Sequence, residues 1–190
     1  MKMARSLYLC PYCSTTWDAF DAFKMHVLRE HGTEPMPAPD GLIELTVNGQ
    51  SYRVEVEPEW TLYDLIHDKI GLIGTKMFCD RGACGSCTVI IDGRAVLSCM
   101  TLAIECGGRR IETVEEVART RPLLIEKYAE HHAMQCGYCT PGFVVTAKAL
   151  LDQSQSPTED EIKQALAGNL CRCGTYPQHP KAILEAVKRW

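Results

Sequence analysis

Residues 42–56, LIELTVNGQSYRVEV, alternate apolar and polar positions on either side of Asn48-Gly49. A period of two turns one face of an extended chain toward a core, and Asn-Gly between two such runs favours a type I′ hairpin. The pattern recurs at 88–91 and 95–99, joined across Asp92-Gly93. Between these hairpins the period lengthens. Thr61 can N-cap a helix through Tyr63, Leu65 and Ile66, with Asp64 at the favourable third position and Gly71 and Gly74 beyond its end. From about Thr113 helical spacing takes over. Pro122 can open one helix. Thr140 can cap a second, with Pro141 at its first position and Phe143, Val144 and Leu150 inward. Thr158, three residues before Glu161, forms a capping box for a third through Ile162, Ala165 and Leu166, and 180–190 reads as a fourth. The pattern predicts a small α+β sheet wrapped on a helix, then a run of helices.

Composition narrows the class. The chain has 190 residues, 46% of them hydrophobic, which is enough for a packed core and excludes global disorder. A formal net charge of −4 with no long run of one sign argues against nucleic acid as the main partner. The opening MKMARSLYLCPYC has no apolar stretch and no small-residue cleavage site. No segment approaches the roughly 18 apolar residues that span a bilayer. A soluble cytoplasmic protein is expected, without a membrane partner. In a reducing cytosol, clustered cysteines are more often metal ligands than disulfides.

Ten of the eleven cysteines fall into three spaced sets. Cys79, Cys84, Cys87 and Cys99 read C-x4-C-x2-C-x11-C, the spacing of a plant-type [2Fe–2S] site. Soft thiolates suit iron, Gly82 and Gly85 let the loop curl, and the small Ala83 and Ser86 let backbone N–H groups reach sulfur. A four-cysteine zinc site is the alternative, though zinc knuckles generally use C-x2-C pairs. Cys136, Cys139, Cys171 and Cys173 read C-x2-C-x31-C-x-C, with both pairs at expected helix ends. Gly168 and Gly174 give the second pair room to bend. Taken alone, this set fits zinc as well as an iron–sulfur cluster. Cys10, Cys13, His26 and His31 read C-x2-C-x12-H-x4-H, the spacing of a zinc finger.

The segments 79-CDRGACGSCTV-89, 135-QCGYCTPG-142 and 168-GNLCRCGTY-176 resemble the two-cluster small subunit of the molybdenum hydroxylases, the family of xanthine dehydrogenase. The likeness covers about four-fifths of the chain, from Leu42 to Trp190. It implies a ferredoxin-like β-grasp domain at 42–113 and a four-helix bundle at 114–190; ahead of them the residues themselves read as a zinc-finger-like unit at 1–31 and a Pro-rich linker at 32–41. It implies an electron-transfer subunit of a molybdenum-containing oxidoreductase, with no catalytic residue on this chain. Cys136, Cys139, Cys171 and Cys173 would hold the [2Fe–2S] cluster nearer the molybdopterin. Cys79, Cys84, Cys87 and Cys99 would hold the outer one, nearer FAD or another acceptor. Gln135 and Cys139 lie where the family contacts the pterin. Molybdopterin would reside on a large partner subunit and FAD on a medium one.

The finger-like unit departs from that family. Tyr8, Trp17 and Phe23 occupy the hydrophobic positions of a two-cysteine, two-histidine finger, and zinc would supply most of its stability. The helix positions that face bases in DNA-reading fingers are Ala19, Ala22 and Met25, none able to make bidentate base contacts, and Asp18 and Asp21 would meet phosphates with the wrong sign. A protein-docking or structural role is expected. A free-standing electron carrier or a redox-sensing finger regulator is the rival reading. Cys106, His67, His179, the pair His131-His132 and Arg172 carry no motif, and no acid/base carboxylate pair or phosphate-binding glycine loop is present.

Overall fold

The computed structural model describes residues 8–10, 13, 15–17, 19–31 and 41–188. The expected linker up to residue 40, Asp18 and positions 189–190 of the expected last helix lie outside the described residues. The chain divides into two compact units, the second starting at Gly41.

The first unit has a ββα order. β1 (Tyr8–Leu9) pairs antiparallel with β2 (Thr16–Trp17), and the Cys10 amide donates to the Thr15 carbonyl at 2.8 Å, closing the turn. α1 (Phe20–His26) runs into a π-helical turn, Val27–His31. A π turn bonds residue i to i+5, which is the separation of the two histidines. It brings the His26 and His31 rings to 5.2 Å between centroids, where a plain α-helix would splay them apart. Trp17 and Phe23 are half-buried.

In the second unit β3 (Leu42–Val47) and β4 (Gln50–Glu55) form the first hairpin. Asn48 and Gly49 both take positive φ, 52° and 80°, as a type I′ turn requires. A short helix α2 (Leu62–Asp64) follows and continues as a π-helical turn, Leu65–Lys69. The Thr61 hydroxyl accepts from the Asp64 amide while the Asp64 carboxylate accepts from the Thr61 amide, the expected cap. β5 (Thr88–Ile91) and β6 (Arg94–Leu97) form the second hairpin, and β7 (Arg110–Glu112) lies between the two hairpins. The sheet order is β4-β3-β7-β5-β6, with β7 parallel to β3 and antiparallel to β5. Ile43, Leu45 and Val47 point from β3 onto Leu62, Leu65 and Ile66, so the sheet wraps the helical segment. The second hairpin's last strand ends at Leu97; Cys99 sits in a single 3₁₀ turn, Ser98–Met100.

Five helices complete the unit: α3 (Val114–Thr120), α4 (Pro122–Glu130), α5 (Thr140–Gln153), α6 (Glu159–Leu166) and α7 (Gln178–Val187). The last four form the expected bundle, and the short α3 leads into it. Leu124, Tyr128, Phe143, Val144, Leu151, Ile162 and Ile183 fill its core. Each of these aliphatic side chains, and Phe143, stabilises by about 1.5–3 kcal/mol on burial. Thr158 and Glu161 form the reciprocal cap of α6. Thr140 does not cap α5: the N-cap is Cys139, whose carbonyl accepts from the Phe143 amide at 3.3 Å, and the Thr140 hydroxyl is buried without a hydrogen bond. The helix starts one residue early because the Cys136–Cys139 turn already carries helical backbone at Cys139. Ile90 of β5 packs into the helical core, and the nearly buried Lys148 of α5 pairs with Glu112 of β7 at 2.7 Å and with Asp152, so sheet and helices share one body.

Candidate metal centres

The first cysteine loop leaves the α2 segment and curls through Gly82 and Gly85, at φ of 72° and 73°. Cys84, Cys87 and Cys99 are buried and Cys79 is partly exposed. The Ala83 amide donates to the Cys79 sulfur at 3.3 Å. Burial works against the Cys79 thiolate, but amides from Arg81, Ala83 and Cys84 together with the Cys84 thiol outweigh it and bring the thiol down to about 7. Cys99 goes the other way: burial, then the neighbouring Cys87 thiol, push it to about 11. The Ser98 hydroxyl and amide both donate to the Cys87 carbonyl, at 2.7 and 3.2 Å, and tie the 3₁₀ turn to the loop. The expected first set is therefore gathered from two segments.

The second set lies at helix ends. Cys136 and Cys139 flank the turn into α5. Cys171 and Cys173 lie between α6 and α7, where Gly174 supplies the bend at φ 82°. Gly168 takes no left-handed conformation; its carbonyl instead packs against Gly85. Burial, then Cys171, push the Cys139 thiol up to about 12. Burial also opposes ionisation at Cys171, yet the Thr175 hydroxyl and amide, the Cys139 thiol and the Cys173 amide lower it to about 7. The Cys171 amide donates to the Tyr176 oxygen at 2.7 Å.

The two sets are joined directly. The Leu170 amide donates to the Cys84 carbonyl at 2.9 Å, so one hydrogen bond connects the backbone of a first-set cysteine to the residue before a second-set cysteine. Asn169 Nδ2 donates to the Gly85 carbonyl at 3.0 Å. A Cβ on Gly142 would lie 2.2 Å from that same carbonyl, so α5 meets the first loop backbone to backbone.

Both sets fit iron–sulfur clusters. All eleven cysteines are free thiols, each set offers four soft sulfurs, and amide N–H groups are aimed at sulfur where a cluster's negative charge would reside. Cys106 stands apart: it is buried, 3.5 Å from the Leu102 carbonyl, and pushed up to about 11 by burial. His131 pairs with Glu185 at 3.0 Å.

In the first unit the ligand atoms of Cys10, Cys13, His26 and His31 all lie within 4.8 Å of one another. Zinc bonds of about 2.0–2.3 Å place tetrahedral ligand atoms about 3.3–3.8 Å apart, so a small contraction of the group fits that ion. Hydrogen bonds from the Thr15 hydroxyl and amide bring the Cys13 thiol down to about 6, toward the ligating thiolate. Cys13 Sγ lies 3.2 Å from His26 Nε2.

An opening of about 640 Å³ lies over the second set, lined by Phe78, Tyr138, Leu170 and Arg172 together with Cys136, Cys139 and Cys171. Phe78 is 78% exposed and Leu170 54%. Gln135, one residue before the exposed Cys136, is exposed as well. The roles of Asn169, Thr175, Tyr176 and His179 were not legible in the sequence. Cys171, Thr175 and His179 are spaced by four, a signal that only a helix would have made readable, and regular helix begins at Gln178.

Residues 45–113 match the 2Fe-2S iron-sulfur cluster binding domain and residues 113–186 the [2Fe-2S] binding domain. The nicotine 6-hydroxylase small subunit of Paenarthrobacter nicotinovorans is 44% identical over 81% of this chain and 94% of its own length. A probable xanthine dehydrogenase subunit of Bacillus subtilis is 38% identical over 75% of this chain and 83% of its own. The chain belongs to the iron–sulfur small subunits of the molybdenum hydroxylase family. Quinoline 2-oxidoreductase from Pseudomonas putida 86 has the same fold, with a TM-score of 0.73 and 41% identity over 78% of this chain and 96% of that chain. Aldehyde oxidoreductase from Desulfovibrio gigas superposes equally well, with a TM-score of 0.73 and 35% identity, over 77% of this chain but only 17% of its own. This iron–sulfur subunit is thus an electron-transfer component of a molybdenum-containing oxidoreductase. Its finger unit lies outside both matched segments. Among the described residues no helix is long and apolar enough to cross a membrane.

Proposed function

We propose that this subunit passes single electrons between a molybdopterin centre on a large partner subunit and FAD, or another acceptor, on a further partner. Each [2Fe–2S] cluster, when bound, takes up and gives up one electron at a time. Cys136, Cys139, Cys171 and Cys173 hold the cluster on the molybdopterin side, with Gln135 and Cys139 touching the pterin. Cys79, Cys84, Cys87 and Cys99 hold the outer one. In this reading the ferredoxin-like domain spans 42–113 and the helical domain 114–190. The observation that carries it is the apolar opening over the second set. Exposed aromatic and aliphatic side chains around a sulfur site favour a docking face over open water, since isolated subunits rarely leave such patches bare. The test is isolation of the tagged chain from its native cells. Molybdenum and flavin should co-purify with four irons per chain, and Phe78→Asp with Leu170→Asp should deplete molybdenum while the irons stay. A monomer with four irons and no molybdenum would sink the reading.

Cys10, Cys13, His26 and His31 hold one zinc ion, which organises the finger. Metal analysis should give one zinc per chain, lost in Cys13→Ala or on chelation, with iron unchanged. Zinc retained in Cys13→Ala at full occupancy would rule the site out.

A further inference from the structure

α7 carries a buried imidazole that electron transfer as described does not use. His179 is 1% exposed. Its ring lies flat on Phe143, with centroids 4.0 Å apart and planes 9° apart, and Tyr128 stands at 5.4 Å. Its Nε2 is 3.2 Å from the Thr175 hydroxyl oxygen, and that oxygen is 3.2 Å from the Cys171 sulfur. Nδ1 is buried and makes no hydrogen bond.

A ligating thiolate only accepts, so the one proton of the Thr175 hydroxyl points to sulfur. The threonine oxygen then accepts, and the donor is Nε2–H. A neutral imidazole protonated at Nε2 is bare at Nδ1, which matches the partnerless side of the ring. Burial among apolar rings lowers the His179 pKa to about 4 and keeps the ring neutral. Two donors in series polarise one another, and Cys171 is only 8% exposed, so water screens little of the effect.

We propose that Thr175 and His179 form a buried hydrogen-bond relay onto the Cys171 sulfur that raises the reduction potential of the second cluster. The inference rests on the assignment of Cys171 as a ligand of that cluster. Uptake of one electron adds negative charge to the cluster sulfurs without making or breaking a bond, and the hydroxyl proton stays on Thr175. A donor aimed at sulfur stabilises the more negative state. At Cys79 the donors to sulfur are backbone amides and the Cys84 thiol, a different arrangement from this side-chain relay. Thr175 and His179 are positioning residues: neither ligates, and both act through Cys171.

The test is a redox titration of the intact complex followed by electron paramagnetic resonance, with iron counted in every variant. Thr175→Val should lower the midpoint potential of one of the two signals and leave the other in place. His179→Phe should lower the same signal by less. Thr175→Ser and His179→Gln, which keep the donors, should stay near the parent value. Four irons per chain with both midpoints unmoved in Thr175→Val and His179→Phe overturns the relay. If Thr175→Val loses iron, His179→Phe decides alone, because it leaves the hydroxyl on sulfur. Cys171→Ser separates the two failures. If it alters the g-values of neither signal, the ligand assignment falls and the relay with it; if it alters one while the relay variants are silent, the relay alone falls.

Discussion

The two four-cysteine sets gather their sulfurs with different parts of the chain. The first draws three thiols from nine residues, 79–87, and its loop supplies its own N–H groups to sulfur. The second joins pairs separated by 31 residues and sits on the ends of helices whose positions are set by the helical core. A site made by a loop depends on local backbone. A site made by helix ends depends on every core contact that fixes those helices. Damage to the core should therefore reach the second set before the first, whereas damage where the two meet should reach both.

The largest effect is expected at that meeting point. Gly142→Ala places a methyl 2.2 Å from the Gly85 carbonyl, and backbone lies on both sides, so neither can rotate away. The first turn of α5 and the first loop must separate. A loss on the order of 4 kcal/mol is expected, the range of severe overpacking. Iron should fall well below four per chain, with both paramagnetic signals lost or broadened. Loss of the second signal alone would mean that the first loop holds its shape without α5.

Ile162→Ala separates the two sites more finely. Ile162 is fully buried in the helical core, away from the sheet core around Leu45 and Ile66. Truncation should cost about 2–5 kcal/mol, part transfer and part cavity. Mild urea should then release iron from the second set first, read as loss of one signal at a concentration where the other persists. Simultaneous loss would show the two halves unfolding as one cooperative body.

Much of this contrast could be read from the chain. Asn48-Gly49 and Asp92-Gly93 specify tight turns from two residues each, Thr61 and Thr158 cap through partners three residues on, and the cysteine spacings are local patterns. What stayed hidden is non-local. β7 is three residues, Arg110–Glu112, and is a strand because it fills the gap between two hairpins, pairing with Thr46 and Val47 on one side and Ile90 and Ile91 on the other. The Leu170–Cys84 hydrogen bond links residues far apart in sequence. Thr140 read as a cap because its hydroxyl is the right chemistry one residue before Pro141, but the cysteine turn had already started the helix. His179 had no readable partner, since Phe143 reaches it only after the helices pack and Thr175, four residues earlier, precedes the regular helix that begins at Gln178.

His179 also gives the helical half a pH dependence. Its folded pKa, about 4, lies below the ordinary value of 6.5, with Phe143, Tyr128 and Thr175 against the ring. As pH falls, the unfolded chain binds the proton first, so stability is complete above about 6.5 and declines toward 4. The full span is roughly 3 kcal/mol. Urea midpoints of the second signal should fall between pH 7.5 and pH 5 in the parent, and fall less in His179→Phe. Equal slopes in the two proteins would remove His179 from the account.

The smallest effects test the caps on either side of the comparison. Thr158→Ala removes the hydroxyl that accepts from Glu161 at the start of α6, and Thr61→Ala does the same for Asp64 at α2. Each should cost about 1 kcal/mol, a typical loss for an N-cap. The consequences should differ by site. α6 ends shortly before Cys171 and packs on α5 and α7, so Thr158→Ala should lower the urea midpoint of the second signal. α2 packs on the 3₁₀ turn that carries Cys99, so Thr61→Ala should lower that of the first. If each substitution instead shifted both signals by the same amount, the loop site would depend on the shared core as much as the helix-end site does.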